Sequence, residues 1–389
     1  MVPGSDTADY LAQWHARCKA AGNRRLQGKL VIPSSPVVSV GVVANPSSGR
    51  DIRRLLAWAS VFPAAEKVNI VLRLLAAMGA LGVHEAWMPP DAAGIAARVR
   101  EAADLARAGR GLAMPQVRLL QMPVHDDAAD SRQAAELMVR EGVRLIAVLG
   151  GDGTHRAVAA GCGGVPLAAI STGTNNAFPA WRESTLVGMA AALVATGRVD
   201  EATGLRRNKR LRLTGVRGGA AVDEIALVEV CLSRQMARGS GAIWDGGEIA
   251  ELYAAFAEPG AIGLSSIAGL MLPVSRGEPD GVHLCFGPGR AVLAPILPGG
   301  LARVEVASAS RFEAGRPLRL PPLRGTVVLD GERLLELDPA DRLQLELDFE
   351  GPRTIAVDEV LAQAARCGLL VEGAGASGGS AGAAGAAGA

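Results

Sequence analysis

The chain has 389 residues, a length that exceeds one typical domain and predicts two. Hydrophobic residues make up 49% of it and aromatic residues only 3%, so small and branched aliphatic side chains must fill its cores. A net charge of +1 disfavours the strongly basic surface that is typical of nucleic-acid-binding proteins.

The five cysteines, at positions 18, 162, 231, 285 and 367, are scattered singly and form no C-x-x-C pair. We therefore expect reduced, buried thiols rather than a disulfide framework or a zinc site. The sequence shows no secretory signal and no apolar run of the roughly 18 residues that a membrane span needs. These features predict a cytoplasmic protein without membrane contact.

Residues 1–36 form a polar extension, and the apolar residues 37–44 then predict a first strand. The strand is followed by the turn sequence N-P-S-S-G. In the first strand-to-helix loop of an α/β domain such a turn is a candidate phosphate contact, here through Asn45, Ser48 and Gly49. The same sequence is also typical of an ordinary turn.

Helical and strand-like segments alternate after this turn. Helices are predicted at residues 66–81, 92–108, 130–141 and 182–195, and strands at residues 84–88 and 117–122. This alternation predicts a Rossmann-like parallel sheet with helices on both faces, and ligands in such sheets bind beyond the carboxyl ends of the strands. The chain has no P-loop sequence, and no G-x-G-x-x-G follows the first strand.

The clearest chemical signal lies at two apolar runs, residues 144–149 and 165–170, each typical of a buried strand. The first run ends in G-G-D-G-T, and residues 155–161 fit a short helix that Thr154 is placed to cap. The glycines let backbone N–H groups converge on an anion at the helix start. Asp152 within the motif is suited to accept a proton from an attacking hydroxyl or to bind a cation such as Mg²⁺. The motif therefore predicts phosphoryl transfer from a nucleotide.

The second apolar run ends in T-G-T-N-N-A-F, another loop whose polar side chains are suited to bind a nucleotide or to form a turn. The predicted phosphate and nucleotide contacts in these two loops are Gly150, Gly151, Gly153, Thr154, Gly173, Thr174, Asn175 and Asn176. His155 follows the first motif directly. We interpret it as a surface histidine in preference to a phosphate contact.

G-G-D-G-T after a buried strand resembles the signature of the NAD kinase and diacylglycerol kinase superfamily, and both other loops resemble its nucleotide-contacting loops. Within it, the layout is similar to that of the ATP-NAD kinase-like proteins of acetoin catabolism. The resemblance implies an ATP-dependent, Mg²⁺-requiring kinase that phosphorylates the 2′-hydroxyl of NAD. It implies Asp152 as the base or metal-linked carboxylate, with NAD and ATP as partners. We also expect a homo-oligomer.

The sequence departs from the family at positions near the acceptor. Ala177 replaces an acid, and Val228 stands where NAD kinases have the asparagine that binds the nucleotide ribose. Glu229 matches the acid that follows this asparagine, so acceptor binding is implied for it, although a strand glutamate also often faces solvent. Two alternatives therefore stay open: a kinase for another hydroxyl or lipid acceptor, and a catalytically silent nucleotide sensor.

Strand-like segments dominate the rest of the chain, at residues 210–216, 224–233, 281–286, 302–308, 325–329 and 342–348. They predict a mainly β, sandwich-like second domain, with a final helix at residues 355–366. The expected organisation is an N-terminal extension (1–36), an α/β nucleotide-binding kinase domain (37–205), a mainly β domain (206–370) and a disordered Gly/Ala tail (371–389).

Overall fold

The computed structural model describes residues 37–48, 58, 62–109, 113–173, 176–236, 249–331 and 333–371, without the side chains of 333 and 334. The N-terminal extension and residues 372–389 of the tail lie outside the described residues, as do three predicted site residues, Gly49, Thr174 and Asn175. Among the described helices, none combines the length and the apolar character of a membrane span.

A mostly parallel sheet is built largely from the first half of the chain. Its strands, numbered in chain order, are β1 (Ser39–Ala44), β2 (Glu85–Met88), β3 (Gln116–Leu119), β4 (Ile146–Gly150), β5 (Leu167–Ser171), β6 (Leu205–Arg207) and β17 (Arg353–Ile355). The order is β3-β2-β1-β4-β5-β17-β6, and the β17–β6 pair alone among these described strands is antiparallel. The predicted Rossmann-like sheet is confirmed.

Helices cover both faces of this sheet. They are α1 (Ala64–Ala80), α2 (Ile95–Ala108), α3 (Ala128–Arg140), α4 (Asp152–Gly161), α5 (Ser184–Ala195), the single-turn α6 (Glu201–Gly204) and, near the end of the chain, α8 (Val357–Arg366). On one face α1, α2, α5 and α8 pack against Val42 and Leu149. On the other face α3 and α4 pack against Val43 and Ile146. Alternate residues of β1 and β4 thus enter different cores, which explains why these two strands are almost entirely apolar.

Two antiparallel sheets make up the second half. One has the order β13-β16-β7-β8 and the other β12-β11-β10-β9-β14-β15. Their elements are β7 (Arg210–Arg217), β8 (Ala220–Ala226), β9 (Glu229–Ser233), β10 (Ile249–Ala254), α7 (Ser265–Met271), β11 (Asp280–Leu297), β12 (Gly300–Glu313), β13 (Leu318–Arg319), β14 (Gly325–Leu329), β15 (Arg333–Leu337) and β16 (Arg342–Asp348). Leu213 and Leu345 of the first sheet share a core with Val230 and Val327 of the second. The predicted sandwich-like β region is confirmed.

Residues 353–366 return to the first sheet, although the sequence-based division assigned them to the mainly β domain. Thr354 of β17 pairs with Leu167 in parallel and with Arg206 in antiparallel orientation. Val360 of α8 then joins the core beneath that sheet. A strand of three residues carries no periodic signal, so the sequence did not show this return. The boundary between residues 205 and 206 stays a prediction.

Candidate functional site

Three loops meet at the carboxyl ends of β1, β4 and β5, because β4 lies between the other two strands. Nδ2 of Asn45 donates a hydrogen bond of 2.8 Å to Oγ1 of Thr154, which joins the first loop to the G-G-D-G-T turn. The hydroxyls of Ser48 and Thr172 lie 2.9 Å apart and join the first loop to the third. The structure thus brings together loops that are more than 100 residues apart in sequence.

Two glycines allow this close approach. A Cβ atom on Gly173 would lie 2.8 Å from Cα of Gly151, and one on Gly150 would lie 2.6 Å from Oγ1 of Thr154. Real Cβ atoms essentially never come so close to neighbouring heavy atoms. Gly173 therefore lets the third loop touch the second, and Gly150 lets Thr154 pack against the turn that precedes it.

Helix α4 begins earlier than predicted. Its first residue is Asp152, and Gly151 precedes it in an extended conformation without a side chain to cap the helix. Thr154 is not the cap, because it lies inside the first turn and its hydroxyl accepts the bond from Asn45. The first N–H groups of an α-helix have no partner within the helix. Gly153 and Thr154 line a cleft of about 180 Å³, so the positive end of α4 faces open space.

The carboxylate of Asp152 binds the backbone of the third loop. It accepts hydrogen bonds from the N–H groups of Ala177 at 3.0 and 3.2 Å and of Phe178 at 2.9 Å, and the residue is 8% exposed. Asp152 therefore has a positioning role that the sequence did not predict.

Arg276 binds the same stretch of the third loop. Its Nη1 donates to the carbonyl oxygen of Phe178 at 3.0 Å, and its Nη2 donates to that of Ala177. Its Nε lies 3.2 Å from a carboxylate oxygen of Glu258. Because Asp152 binds the amides of this stretch and Arg276 its carbonyls, the loop is fixed by residues from both halves of the chain.

Three predicted nucleotide contacts participate in hydrogen bonds within and between the loops. Oδ1 of Asn45 accepts the N–H of Ser47 at 2.8 Å, and Oγ of Ser48 donates to the carbonyl of Asn45 at 3.1 Å. Nδ2 of Asn176 donates to Oγ of Ser171 at 2.6 Å. An asparagine amide has two N–H groups, so each asparagine retains donor capacity. Contact of these residues with a nucleotide stays a prediction.

Lys67 of α1 supports the first loop, and sequence reasoning missed it. Its buried ammonium donates to the carbonyl oxygens of Asn45 at 2.8 Å, Pro46 at 3.0 Å and Ser48 at 2.8 Å. A detectable signal existed, because Lys67 lies at helical spacing on the apolar stripe that includes Val71. A lysine within such a stripe indicates a buried, fully bonded ammonium.

Lys67→Met should destabilise the protein and loosen the first loop. Methionine retains the unbranched apolar stem but leaves three carbonyls without their charged donor, and such bonds contribute about 1.5–3 kcal/mol each. Since the three share one donor, we expect a loss of about 3 kcal/mol in the free energy of unfolding, measured by urea denaturation. Arg107→Met, on the exposed surface of α2, is the matched control. A loss below about 1 kcal/mol for Lys67→Met would contradict this role.

The interpretation of His155 as a surface residue is wrong, because the side chain is fully buried. Its Nδ1 donates to the carbonyl oxygen of Gly151 at 2.8 Å, and its Nε2 has no hydrogen-bond partner among the described residues. Burial lowers the pKa of His155 to about 4, against the opposing effect of the Gly151 and Val148 backbone. The imidazole is therefore neutral near pH 7 and fixes the backbone before Asp152.

This buried histidine predicts a pH dependence of stability. Unfolded His155 binds a proton near pH 6.5 and the folded residue only near pH 4, so its stabilising contribution is full above pH 6.5 and lost as the pH falls to 4. The loss should reach about 3 kcal/mol. His155→Leu should flatten this part of the stability curve, whereas His125→Gln, at an exposed position, should not. Equal slopes for wild type and His155→Leu would disprove the assignment.

Glu229, the predicted acceptor contact, lies at the start of β9 and is only 7% exposed, so it does not face solvent. The adjacent backbone is fixed by Asp330, whose carboxylate accepts the N–H groups of residues 227–229 at 2.8–3.2 Å. Nε of Arg156, on α4, lies 3.6 Å from Oδ2 of Asp330. Burial raises the pKa of Asp330, while Arg156 and the N–H groups favour its charged form. The helix that carries Asp152 is thus linked to the strand that carries Glu229.

Comparison with known sequences relates both halves of the chain to described families. A family model described as ATP-NAD kinase N-terminal domain matches residues 41–199, and one described as acetoin catabolism protein X C-terminal domain matches residues 183–350. Acetoin catabolism protein X of Cupriavidus necator is 45% identical over 337 residues, which cover 85% of this chain and 93% of the relative.

The matches among solved structures include two proteins of low sequence identity. Yeast NADH kinase complexed with NADH has a TM-score of 0.49 and 15% identity, over 88% of this chain and 90% of its own. A putative diacylglycerol kinase from Bacillus anthracis has a TM-score of 0.40 and 13% identity, over 82% of this chain and 98% of its own.

Proposed function

This chain belongs to the family of acetoin catabolism protein X, and from that premise we propose that it is an ATP-dependent kinase that phosphorylates the 2′-hydroxyl of NAD to give NADP. The residues that match the ATP-NAD kinase N-terminal domain include all three loops of the candidate site. We further propose that the enzyme serves acetoin catabolism, for which its relative is named. The enzyme would then supply NADP to reactions that accompany acetoin catabolism.

The observation that carries this proposal is the position of Asp152 at the junction of the second and third loops. Asp152 lies in the G-G-D-G-T turn at the open N-terminus of α4, and it binds the third loop. Gly173 of the third loop packs against Gly151 beside it. Backbone N–H groups at the helix start would bind phosphate oxygens. Asp152 would take the proton of the attacking hydroxyl. Preorganised charge stabilisation would provide most of the rate enhancement.

The residues near the loops fit a magnesium ion. Oxygen ligands are those that Mg²⁺ prefers, and the aspartates at positions 91, 126, 127 and 130 line the cleft beside Gly153 and Thr154. Asp91, Asp127 and Asp130 already bind backbone N–H groups at or just before helix starts, so Asp152 and Asp126, with the phosphates of ATP, are the groups that would hold the ion. Bound there, Mg²⁺ would neutralise charge on the transferring phosphoryl group. Without a cation, the carboxylates would repel a triphosphate from the same cleft.

Glu229, at the start of β9, is the proposed acceptor contact. Its backbone is fixed by Asp330, and Asp330 in turn pairs with Arg156, one helical turn beyond Asp152. A buried carboxylate at this position is suited to accept a ribose hydroxyl hydrogen bond. The acceptor ribose would therefore bind at Glu229, and ATP in the cleft at the start of α4.

A nucleotide sensor without turnover is the second candidate, and a specific observation favours it. Val228, where NAD kinases have an asparagine, is fully buried, and its N–H group binds Asp330. This position thus offers the acceptor no polar side chain. The sensor would bind ATP and NAD with the same loops but would not align the 2′-hydroxyl with Asp152.

Transfer of the labelled γ-phosphate of ATP tests both candidates. The purified full chain is incubated with labelled Mg-ATP and, separately, with NAD, NADH, a diacylglycerol in vesicles and acetoin, and polyphosphate is tested as an alternative donor. Label on NAD at the 2′-position is the expected result. Label on another acceptor would assign a different hydroxyl, and nucleotide binding without any transfer would support the sensor.

A further inference from the structure

A cluster of metal-ligating side chains lies in the second half of the chain, on strands that the proposed kinase chemistry does not use. Strands β10 and β11 are antiparallel, with Glu251 opposite Cys285 and Tyr253 opposite His283. Residues two apart in a strand share a face, and so do directly opposed residues. The four side chains therefore lie on one face of the sheet.

Three of these side chains converge on a point. Oε2 of Glu251 lies 2.9 Å from Nε2 of His283, and Sγ of Cys285 lies 3.7 Å from the same nitrogen. The three ligand atoms all lie within 4.8 Å of one another. Tetrahedral zinc, with bonds of about 2.0–2.1 Å to nitrogen or oxygen and 2.3 Å to sulfur, would place neighbouring ligand atoms about 3.4–3.6 Å apart. The Glu251–His283 distance would lengthen by about 0.5 Å, and the Sγ–carboxylate distance would shorten by up to about 1 Å, to complete this geometry.

The same distances argue against a nucleophilic cysteine activated by the histidine. In a catalytic relay, the carboxylate orients one imidazole nitrogen while the nucleophile contacts the other. Here Glu251 and Cys285 contact the same nitrogen of His283, which cannot donate to one and accept from the other at once. The cluster therefore does not have the geometry of a nucleophilic relay.

Tyr253 positions two of these groups. Its hydroxyl donates to Oε2 of Glu251, and its ring stacks on His283 with centroids 4.3 Å apart and planes 4° from parallel. Residues that orient ligands in this way are typical of metal sites. The side chains of His283 and Glu251 remain 24% and 20% exposed, so an ion has access from solvent.

We propose that Glu251, His283 and Cys285 bind one Zn²⁺ ion, with a fourth position open to water. A thiolate combined with an imidazole and a carboxylate selects zinc over magnesium or calcium, which prefer oxygen ligands only. The expectation of no zinc site rested on the spacing of cysteines along the chain. It missed this cluster because Glu251 comes from a strand about 30 residues before the H-x-C pair of β11.

Metal titration of the untagged full chain tests the proposal. After treatment with a chelator, the protein should bind one equivalent of Zn²⁺, and Co²⁺ in its place should give a thiolate-to-metal absorption band. Removal of a residue that only orients a metal ligand weakens metal binding by about 10–100-fold. Cys285→Ser removes a ligand itself, so it should weaken zinc binding at least about 100-fold. His283→Gln and Glu251→Gln should weaken it similarly, and Tyr253→Phe by about 10-fold.

Two other cysteines provide controls. Cys367 is exposed, and Cys18 lies outside the described residues. Cys367→Ser and Cys18→Ser should leave the zinc stoichiometry and the cobalt band unchanged. Thermal melting confirms that each variant is folded, and Cys285→Ala replaces Cys285→Ser if the serine variant is not. Absence of stoichiometric zinc binding by the folded wild type, or a cobalt–thiolate band that survives loss of Cys285, would overturn the proposal.

Discussion

Replacing Asp152 with asparagine should lower the turnover of phosphoryl transfer by roughly 10²–10⁴-fold, the usual contribution of a general base. Asparagine has nearly the same size, but it cannot accept the proton of the attacking hydroxyl or attract a cation. Affinity for ATP should fall much less, because the backbone N–H groups at the start of α4 remain. Steady-state kinetics under saturating ATP and NAD, with a binding titration alongside, measure the two effects.

We also expect Asp152→Asn to be less stable than the wild type. The amide of asparagine has only one acceptor oxygen for the N–H groups of Ala177 and Phe178, so we expect a loss of about 1–3 kcal/mol in the free energy of unfolding. Turnover is therefore measured per folded molecule, well below the melting temperature. Asp200→Asn, at the exposed N-cap of α6, is the control and should affect neither quantity strongly. Nearly unchanged turnover in folded Asp152→Asn would reduce Asp152 to a loop-positioning residue.

The largest stability effect is expected from Asp330→Asn. The carboxylate is buried, binds three backbone N–H groups and faces Arg156, so its neutralisation leaves a buried guanidinium without its anion. Removing one partner of a buried ion pair costs about 3–5 kcal/mol, and the retained amide oxygen favours the lower end. Asparagine tolerates the left-handed backbone of this position (φ 50°), which alanine would strain. Urea denaturation measures the loss.

A double-mutant cycle with Arg156→Met separates the ion pair from the other contacts of Asp330. If the two side chains interact, the double variant should lose at least about 1 kcal/mol less than the sum of the single losses. The link between α4 and β9 should also matter for function, so the Michaelis constant for NAD should rise in both single variants. Losses that add within about 0.5 kcal/mol would show that the two residues act independently.

Much of the fold was predictable because its signals are local. Continuous apolar runs indicated β1, β4 and β5, and the alternation with amphipathic helices indicated a parallel sheet. The glycine-rich turns after these strands gave the positions of the loops. In a parallel sheet the carboxyl ends of adjacent strands lie at the same edge. The alternating pattern therefore predicted that the loops after β1, β4 and β5 lie close together.

The apolar stripe of α1 could have shown that Lys67 is buried, but the partners of the residues that fix the site were not predictable in the same way. Lys67, Arg276 and Asp330 bind backbone groups, and a backbone group has no sequence signature. Their partners lie 19–22, 98–99 and 101–103 residues away, so no spacing rule relates them. Asp330 precedes a glycine after a buried strand, which reads as an ordinary hairpin turn, and its burial depends on tertiary packing. The burial of His155 was missed because the motif does not show which face of the first helical turn is covered by other parts of the chain.

NADP formation by the purified full chain tests the proposed NAD kinase activity most directly. The enzyme is supplied with Mg-ATP and NAD, and NADP is measured with an NADP-specific dehydrogenase, for wild type and for Asp152→Asn in parallel. We expect sustained NADP formation by wild type and a rate lower by roughly 10²–10⁴-fold in the variant. We expect no phosphorylated product from an NAD analogue without the adenosine 2′-hydroxyl. Tight binding of ATP and NAD by wild type, with NADP formation no faster than in folded Asp152→Asn, would contradict the proposed activity.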